Sequence, residues 1–414
     1  MIIRNISNID IIDKYLIISI SAIYLIIPLI FEINFDRYNL SQEIWIGLII
    51  STFISLIMIL SKNTPNLEIE KLRSIPKIFS SKTIFFFLFV LFIFEIFELF
   101  KIINEYDKSI TRDSLFYNED EQSAIGGRNL FSYLKMLTNS LMLIVFVDIF
   151  HLNRPRNKIL IYFFVLIIII QYSQLFFTSI YRSTFLSTII FWVLFINFYI
   201  NELKFTKKNI IFIFLFFLIG SYWLSWSAFY RQGDIAEINQ INIFHGLSGL
   251  ATAFEIESLK EAIEIGALKL EYGLQMFYNL ISWIPRMIWE EKPLVSFSFR
   301  ISSELYDEVG ITTWVRTFTI PGEGYLQFGV PGMILWSILF IYFYRFSKLI
   351  VIKYPLSLPF FLGLWASFPL LVRGDLFSYI SRFFVAVSVF IFIFFIFKLL
   401  KLSLNTNKKI LKEI

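Results

Sequence analysis

Arg182, Arg231, Arg286, Arg300, Arg316 and Arg373 are the side chains of this sequence whose type and placement best suit chemistry. Arginine carries a planar fork of donors that never loses its charge and that grips phosphate or carboxylate through two parallel hydrogen bonds. A set of them at one level of a molecule calls for an anionic ligand, and the ligand inferred from these is a phosphate or diphosphate group. Four of the six lie in one polar stretch, Phe229 to Leu326, together with His245 and Glu323. The same stretch is rich in carboxylates, among them Asp234, Glu255, Glu261, Glu290 and Asp307. Any single arginine could therefore serve as a structural ion-pair partner instead.

The elements that position these residues are set by composition. Hydrophobic residues make up 57% of the 414 positions, aromatic residues 19%, and the mean hydropathy of +0.70 lies far above that of a water-soluble chain. An all-α, polytopic membrane protein is expected. Apolar runs of about 17 to 25 residues cross roughly 30 Å of hydrocarbon as helix. About ten can be marked, at Tyr15 to Phe31, Ile44 to Leu60, Ile84 to Ile103, Leu130 to Phe150, Ile159 to Phe177, Thr184 to Ile200, Ile210 to Ala228, Gln327 to Phe346, Leu356 to Val372 and Tyr379 to Phe397. The first run lacks a small-residue cleavage pattern after it and reads as a retained signal anchor. No repeat or linker divides the chain, so residues 1–414 are expected to form one membrane domain, with 229–326 as a large outer loop between the seventh and eighth spans. Apolar residues at helical spacing from Leu247 to Leu270, with glutamates between them, predict an amphipathic helix in that loop.

Alternate connections are basic: Lys62 to Lys82, Arg154 to Lys158, Lys204 to Lys208, Arg345 to Lys353, and the tail from Lys398. Positive charge collects on the cytoplasmic side, which places both termini inside and the long loop outside. Sorted by side, the cations separate by type. Ten arginines (Arg37, Arg112, Arg128, Arg182, Arg231, Arg286, Arg300, Arg316, Arg373, Arg382) face six lysines outside, whereas five arginines and 16 lysines fall inside. The positive-inside rule treats the two residue types alike, so it does not account for arginine gathering on the outer face. Arg182 stands in a very short turn, Thr178 to Ser183, which aims it at the mouth shared by two spans. Glu95 and Glu98, three apart on one helical face within the third span, must face protein or water. They line a cavity, or Lys135 or Arg382 neutralises them.

Several chemistries lack their residues. With no cysteine there is no thiol nucleophile, disulfide or Cys-ligated metal, and His151 and His245 are the only histidines. No Asp-x-Asp pair is present to hold a divalent metal, the nearest approach being Glu32 with Asp36, and no phosphate-binding glycine loop or dinucleotide fingerprint occurs. A nucleophile elbow is missing as well, which leaves His245 as a loop residue.

Beyond Tyr278, the sequence reads Pro285-Arg286, Trp289, Lys292-Pro293, then Gly322-Glu323, Tyr325, Phe328-Gly329 and Gly332 entering a span. This string resembles the O-antigen polymerase family, the Wzy-type oligosaccharide repeat-unit polymerases. Tyr181-Arg182 looks like that family's arginine after a mid-chain span, with Ile180 and Tyr181 where small residues are common. The motif covers little more than Tyr278 to Gly332, but the span count, the inside termini and the outer loop fit over the whole length. The resemblance implies a metal-independent, inverting glycosyltransferase of the bacterial cytoplasmic membrane that needs no cofactor. Its donor would be a glycan on undecaprenyl diphosphate and its acceptor a lipid-linked repeat unit, with membrane lipid, a chain-length regulator and a flippase as partners and no nucleic acid. Arg182, Arg231, Arg286 and Arg316, with Arg300 and Arg373 behind them, would then stabilise the departing diphosphate. Glu323 would take the proton of the attacking hydroxyl. Glu323 could equally be a helix N-terminal carboxylate that complements the dipole of the following span. The alternatives are an O-antigen ligase-like glycan transferase, which differs only around Gly322-Glu323, and a transporter of the same lipid-linked sugar, which would place its arginines along a traversing cavity.

Overall fold

The computed structural model describes residues 9–26, 28–29, 41–62, 64–67, 81–106, 319–374 and 376–399, with isolated positions between 162 and 289. Every regular element among the described residues is helical. Helix α1 spans Ile11–Ser21 and runs on into a π-helical segment, Ala22–Ile26. Then come α2 (Gln42–Leu60) and α3 (Ser81–Tyr106). Toward the C-terminus lie α4 (Ile320–Phe328), α5 (Val330–Lys353), a 3-10 turn at Pro355–Ser357, α6 (Leu358–Ala366), α7 (Phe368–Arg373) and α8 (Leu376–Leu399). The spans expected at Ile44 to Leu60, Ile84 to Ile103 and Tyr379 to Phe397 fall inside α2, α3 and α8. Those expected between Leu130 and Ala228, and most of the loop 229–326 with its amphipathic helix, lie outside the described residues.

Two expected spans are broken. The run from Gln327 is two helices, because Gly329 adopts φ 66° and ψ −152°, a backbone conformation open essentially to glycine alone. Pro331 lacks an N–H and tolerates only the first turn of the helix that restarts after it. The run from Leu356 likewise divides into the 3-10 turn, α6 and α7.

The chain separates into two compact units, each built from segments distant in sequence: Met1–Leu67 with Gln240–Leu349 and Ser367–Phe384, and Glu68–Asn239 with Ile350–Ala366 and Val385–Ile414. In the first, α1 packs on the π segment, α2 and α7, while α4 packs on α2 and α7. Two ties fix the register of α2 against α5. A Cβ on Gly47 would strike the Met333 thioether, and the Arg345 guanidinium donates to the Met58 carbonyl. The ties are 11 residues apart on one helix and 12 on the other, so the two helices run parallel. Because Asp10, at the start of α1, meets Lys348 near the end of α5, α1 runs opposite to both. In the second unit, α6 packs on the 3-10 turn, and the Tyr354 and Phe360 rings lie 6.0 and 6.1 Å from Phe390.

Helices α2 and α5 are each long and apolar enough to cross a membrane. Their exposed faces are apolar, unlike that of a water-soluble surface helix. On α2 the buried face carries Gly47, Ser51, Thr52 and Ser55, while Ile46, Ile49, Ile50, Phe53 and Ile57 are exposed. On α5 Ser337, Ser347 and Lys348 are buried beside Met333, Trp336, Phe340, Ile341 and Tyr344, and Leu335, Tyr342, Phe346, Leu349 and Ile352 are exposed. Large apolar residues outward on both helices, with small residues inward on α2, suit helices that pack in hydrocarbon.

Candidate functional site

The break at Gly329 sets up the site. Gly324 and Gly332 are eight residues apart, which in a continuous helix would separate them by about 12 Å. Instead a Cβ on Gly332 would collide with the Gly324 carbonyl, and one on Gly324 with the Gly332 carbonyl, the Met333 nitrogen also being only 2.9 Å away. Helix α4 therefore folds back on α5, and these two glycines let the backbones touch. Gly332→Ala is expected to force the helices apart and destabilise the protein by about 1–3 kcal/mol, as overpacking does, which thermal unfolding in detergent would measure.

The entry to α4 is built from strained backbone held by its cap. Thr319 is the one non-glycine residue at positive φ among those described, at φ 60° and ψ 157°. Its hydroxyl accepts the Gly322 N–H at 3.2 Å and its carbonyl accepts the Glu323 N–H at 2.9 Å, so two donors at the start of α4 are satisfied by one residue. Pro321 has no donor to satisfy. This cap fixes Glu323 in the first turn, fully buried. Its carboxylate reaches across to the last helix, where Oε2 accepts the Leu376 N–H at 2.6 Å at the start of α8. One turn further on, Gln327 is also buried and its Oε1 accepts the Gly273 N–H at 3.1 Å, which ties a turn of the long loop onto α4.

Of the six candidate arginines, Arg373 is the one whose backbone position is described. It is the last residue of α7, against which α4 packs, and it precedes by three residues the amide that Glu323 holds. The fold thus brings Glu323 and the Arg373 turn into one neighbourhood. Arg182, Arg231, Arg286, Arg300 and Arg316 lie outside the described residues, as do His151, His245, Glu32, Asp36 and Lys135. Glu95 is fully buried on α3, and the side chain of Glu98 lies outside the described set. A carboxylate seated at the N-terminal end of α8 complements that helix's dipole. The helix-end role foreseen for Glu323 is therefore present, on α4 and α8 rather than on the span that follows it. Chemically, a buried carboxylate with one oxygen held by a backbone amide is an oriented proton acceptor.

A second polar cluster sits at the opposite end of α5. The Lys348 ammonium is fully buried and donates to Asp10 Oδ2 at 2.5 Å and to Asp13 Oδ1 at 2.9 Å. The Tyr344 hydroxyl donates to the same Asp13 oxygen, and the ammonium lies 5.6 Å from the Tyr344 ring centre. Asp10 also caps α1, its Oδ1 accepting the Asp13 N–H at 3.0 Å. Buried charges of this kind persist only when paired and hydrogen-bonded, and every member named here has such a partner.

No family model, curated protein or solved structure matches the chain. Its chemistry has to be argued from its own residues. Among those described, no group of three or more His, Asp or Glu is placed to hold a metal ion.

Sequence reasoning missed the Asp10–Asp13–Lys348 cluster. Asp10 and Asp13 read as the polar start of a span, and Lys348 as one more cytoplasmic lysine. A signal was available: Tyr344, Arg345 and Lys348 recur at i, i+1 and i+4 within an otherwise apolar helix, so at least one of them had to turn inward.

Proposed function

We propose that this chain spans the bacterial cytoplasmic membrane about ten times with both termini inside, and that it polymerises undecaprenyl-diphosphate-linked oligosaccharide repeat units at the outer face. The observation that carries the reading is the fold-back at Gly329, which seats the carboxylate of the Gly322-Glu323-Gly324 segment in the protein interior beside the turn that follows Arg373. A transferase of this kind needs a carboxylate shielded from bulk water next to a cationic site for the leaving group, and the burial of Glu323 against an amide three residues beyond the end of α7 supports such a reading. The apolar exposed faces of α2 and α5 support the membrane assignment. The shared end of α1, α2 and α5 supports the orientation, since the charge count assigns the start of the first span and the ends of the second and eighth to one side.

In the proposed reaction the terminal sugar hydroxyl of one lipid-linked unit attacks the anomeric carbon of the donor glycan. Its proton passes to Glu323 as the new carbon–oxygen bond forms. The bond from the anomeric carbon to the diphosphate breaks, and undecaprenyl diphosphate leaves with the electron pair, inverting the configuration. Charge grows on the diphosphate during bond breaking, so Arg182, Arg231, Arg286, Arg316, Arg300 and Arg373 stabilise the transition state more than the ground state. No metal, nucleotide or cofactor enters the scheme.

Deleting the gene and resolving the surface glycan on a gel tests the reading. Collapse of the ladder to a single repeat is the expected result, whereas loss of all attached glycan with accumulation of lipid-linked polymer would assign a ligase instead, and an unchanged ladder would exclude both. In the complemented strain, Arg286→Lys keeps the charge and loses the two-pronged grip. It is expected to lower polymerisation about 10- to 1000-fold with normal protein abundance, and an unaltered ladder would remove Arg286 from the site.

A further inference from the structure

One face of α4 holds two backbone amides that come from far apart in the sequence. Glu323 and Gln327 are one turn apart and fully buried, and they accept the Leu376 N–H at 2.6 Å and the Gly273 N–H at 3.1 Å. The first amide starts α8. The second opens a helical turn in which the Phe277 N–H donates to the Gly273 carbonyl at 3.3 Å. The fit at Gly273 requires glycine: its φ is 90°, a conformation that other residues rarely adopt, and a Cβ there would lie 3.2 Å from Phe328 Cζ at the end of α4. The Phe328 ring is backed in turn by the fully buried Trp336 of α5, the ring centroids being 5.9 Å apart. Gln327, Phe328 and Gly273 thus form one joint between α4 and the polar stretch 229–326.

We propose that Gln327 is a positioning residue, which fixes the polar stretch, through the Gly273 amide, to the helix that carries Glu323. That stretch holds Arg231, Arg286, Arg300 and Arg316, with Arg286 13 residues beyond Gly273 in the sequence. Charged groups stabilise a departing diphosphate only at set distances from the reacting atoms, so the segment that carries them needs a fixed point near the proton acceptor. The joint supplies one a single turn from Glu323. A neutral amide suits the place, because a second carboxylate four residues from Glu323 would repel it. The positioning role rests on the proposed transfer reaction, whereas the joint itself does not.

Amide hydrogen exchange of the full chain in mild detergent, followed by mass spectrometry of overlapping peptides, reads the joint directly. Gln327→Met keeps the side-chain length and removes the acceptor. It is expected to speed exchange at the Gly273 amide about 3- to 10-fold, the span that a neutral hydrogen bond covers. The Leu376 amide, held by Glu323, should exchange as in the wild type. In glycan extension from purified lipid-linked repeat units, well below the melting temperature, the same variant is expected to lower kcat about 10- to 100-fold with KM changed less than about threefold. A merely structural loss would leave the kcat of the folded protein unchanged. Unaltered exchange at Gly273 would overturn the joint, and so would an equal rise at Leu376, which means general loosening. Faster exchange at Gly273 with a wild-type kcat would overturn the positioning role. If the wild-type protein extends no glycan, the transfer reading falls and the positioning role with it, while exchange at the two amides still decides the joint. Should Gln327→Met fail to accumulate, Gly273→Ala strains the joint from its other side and decides by the same kcat and the same two amides.

Discussion

Lys348→Met is expected to cost about 3–5 kcal/mol of stability, the range found when one partner of a buried ion pair is removed. Methionine matches the length and packing of the lysine stem, so the loss would come from charge and hydrogen bonding. Asp10 and Asp13 would then lie close together in the interior without the ammonium that now bridges them at 2.5 and 2.9 Å. The measurement is thermal unfolding of the detergent-solubilised protein, supported by its abundance in membranes. The decisive companion is the triple variant Asp10→Asn, Asp13→Asn, Lys348→Met. Replacing a whole buried ion cluster with neutral groups is often nearly neutral, because the desolvation of the charges disappears along with their attraction. Recovery of most of the lost stability in the triple variant would show that the single substitution fails by stranding charge. No recovery would mean that the ammonium is needed for its own contacts, including the one over the Tyr344 ring. A wild-type melting curve for Lys348→Met itself would contradict the buried cluster.

How far the sequence leads can be judged helix by helix. Where a span is a plain apolar run, as for α2, hydropathy alone locates it: the expected Ile44 to Leu60 differs from Gln42–Leu60 only at the capped start, where the Ser41 hydroxyl accepts the Ile44 N–H at 3.4 Å. Hydropathy averages over a window, so it is blind to a single residue that reverses the chain. Gly329 is apolar enough to be absorbed into a run, and its positive φ is a property of the backbone that a window cannot register. The pair Gly324 and Gly332 is invisible for a related reason. Its meaning depends on two backbones meeting across a fold-back, and spacing along the chain gives eight residues where contact in space gives van der Waals distance or less. Glu323 was legible as a residue to test because an acidic side chain between two glycines before a span is unusual in so apolar a chain. That it would grip the amide of Leu376, 53 residues away, was not legible, since it follows from how α7 and α8 return to α4.

That grip makes Glu323 the residue whose variants separate chemistry from architecture. Glutamine keeps a side-chain oxygen able to accept the Leu376 N–H and occupies nearly the same volume, but it cannot take up a proton at neutral pH. If Glu323 is the general base of the proposed transfer, Glu323→Gln is expected to lower polymerisation by about 10²- to 10⁴-fold, seen as loss of the glycan ladder, with the melting temperature close to that of the wild type. If the carboxylate serves only to cap α8, the same variant should lose stability modestly and retain the ladder. Alanine removes both functions. Glu323→Ala leaves the amide at the start of α8 buried without its acceptor and should cost roughly 1.5–3 kcal/mol, the value for a hydrogen bond to a charged group. Its loss of activity would then come with a lowered melting temperature and carry no information about catalysis. Aspartate completes the series: it is ionisable but one methylene shorter, so from the fixed first turn of α4 it would have to choose between the Leu376 amide and the substrate. A Glu323→Asp protein that melts early yet extends glycan would assign the base role to the carboxylate and the stabilising role to its reach. A Glu323→Gln protein with full ladders would remove Glu323 from the chemistry and leave the arginines to act with a different base.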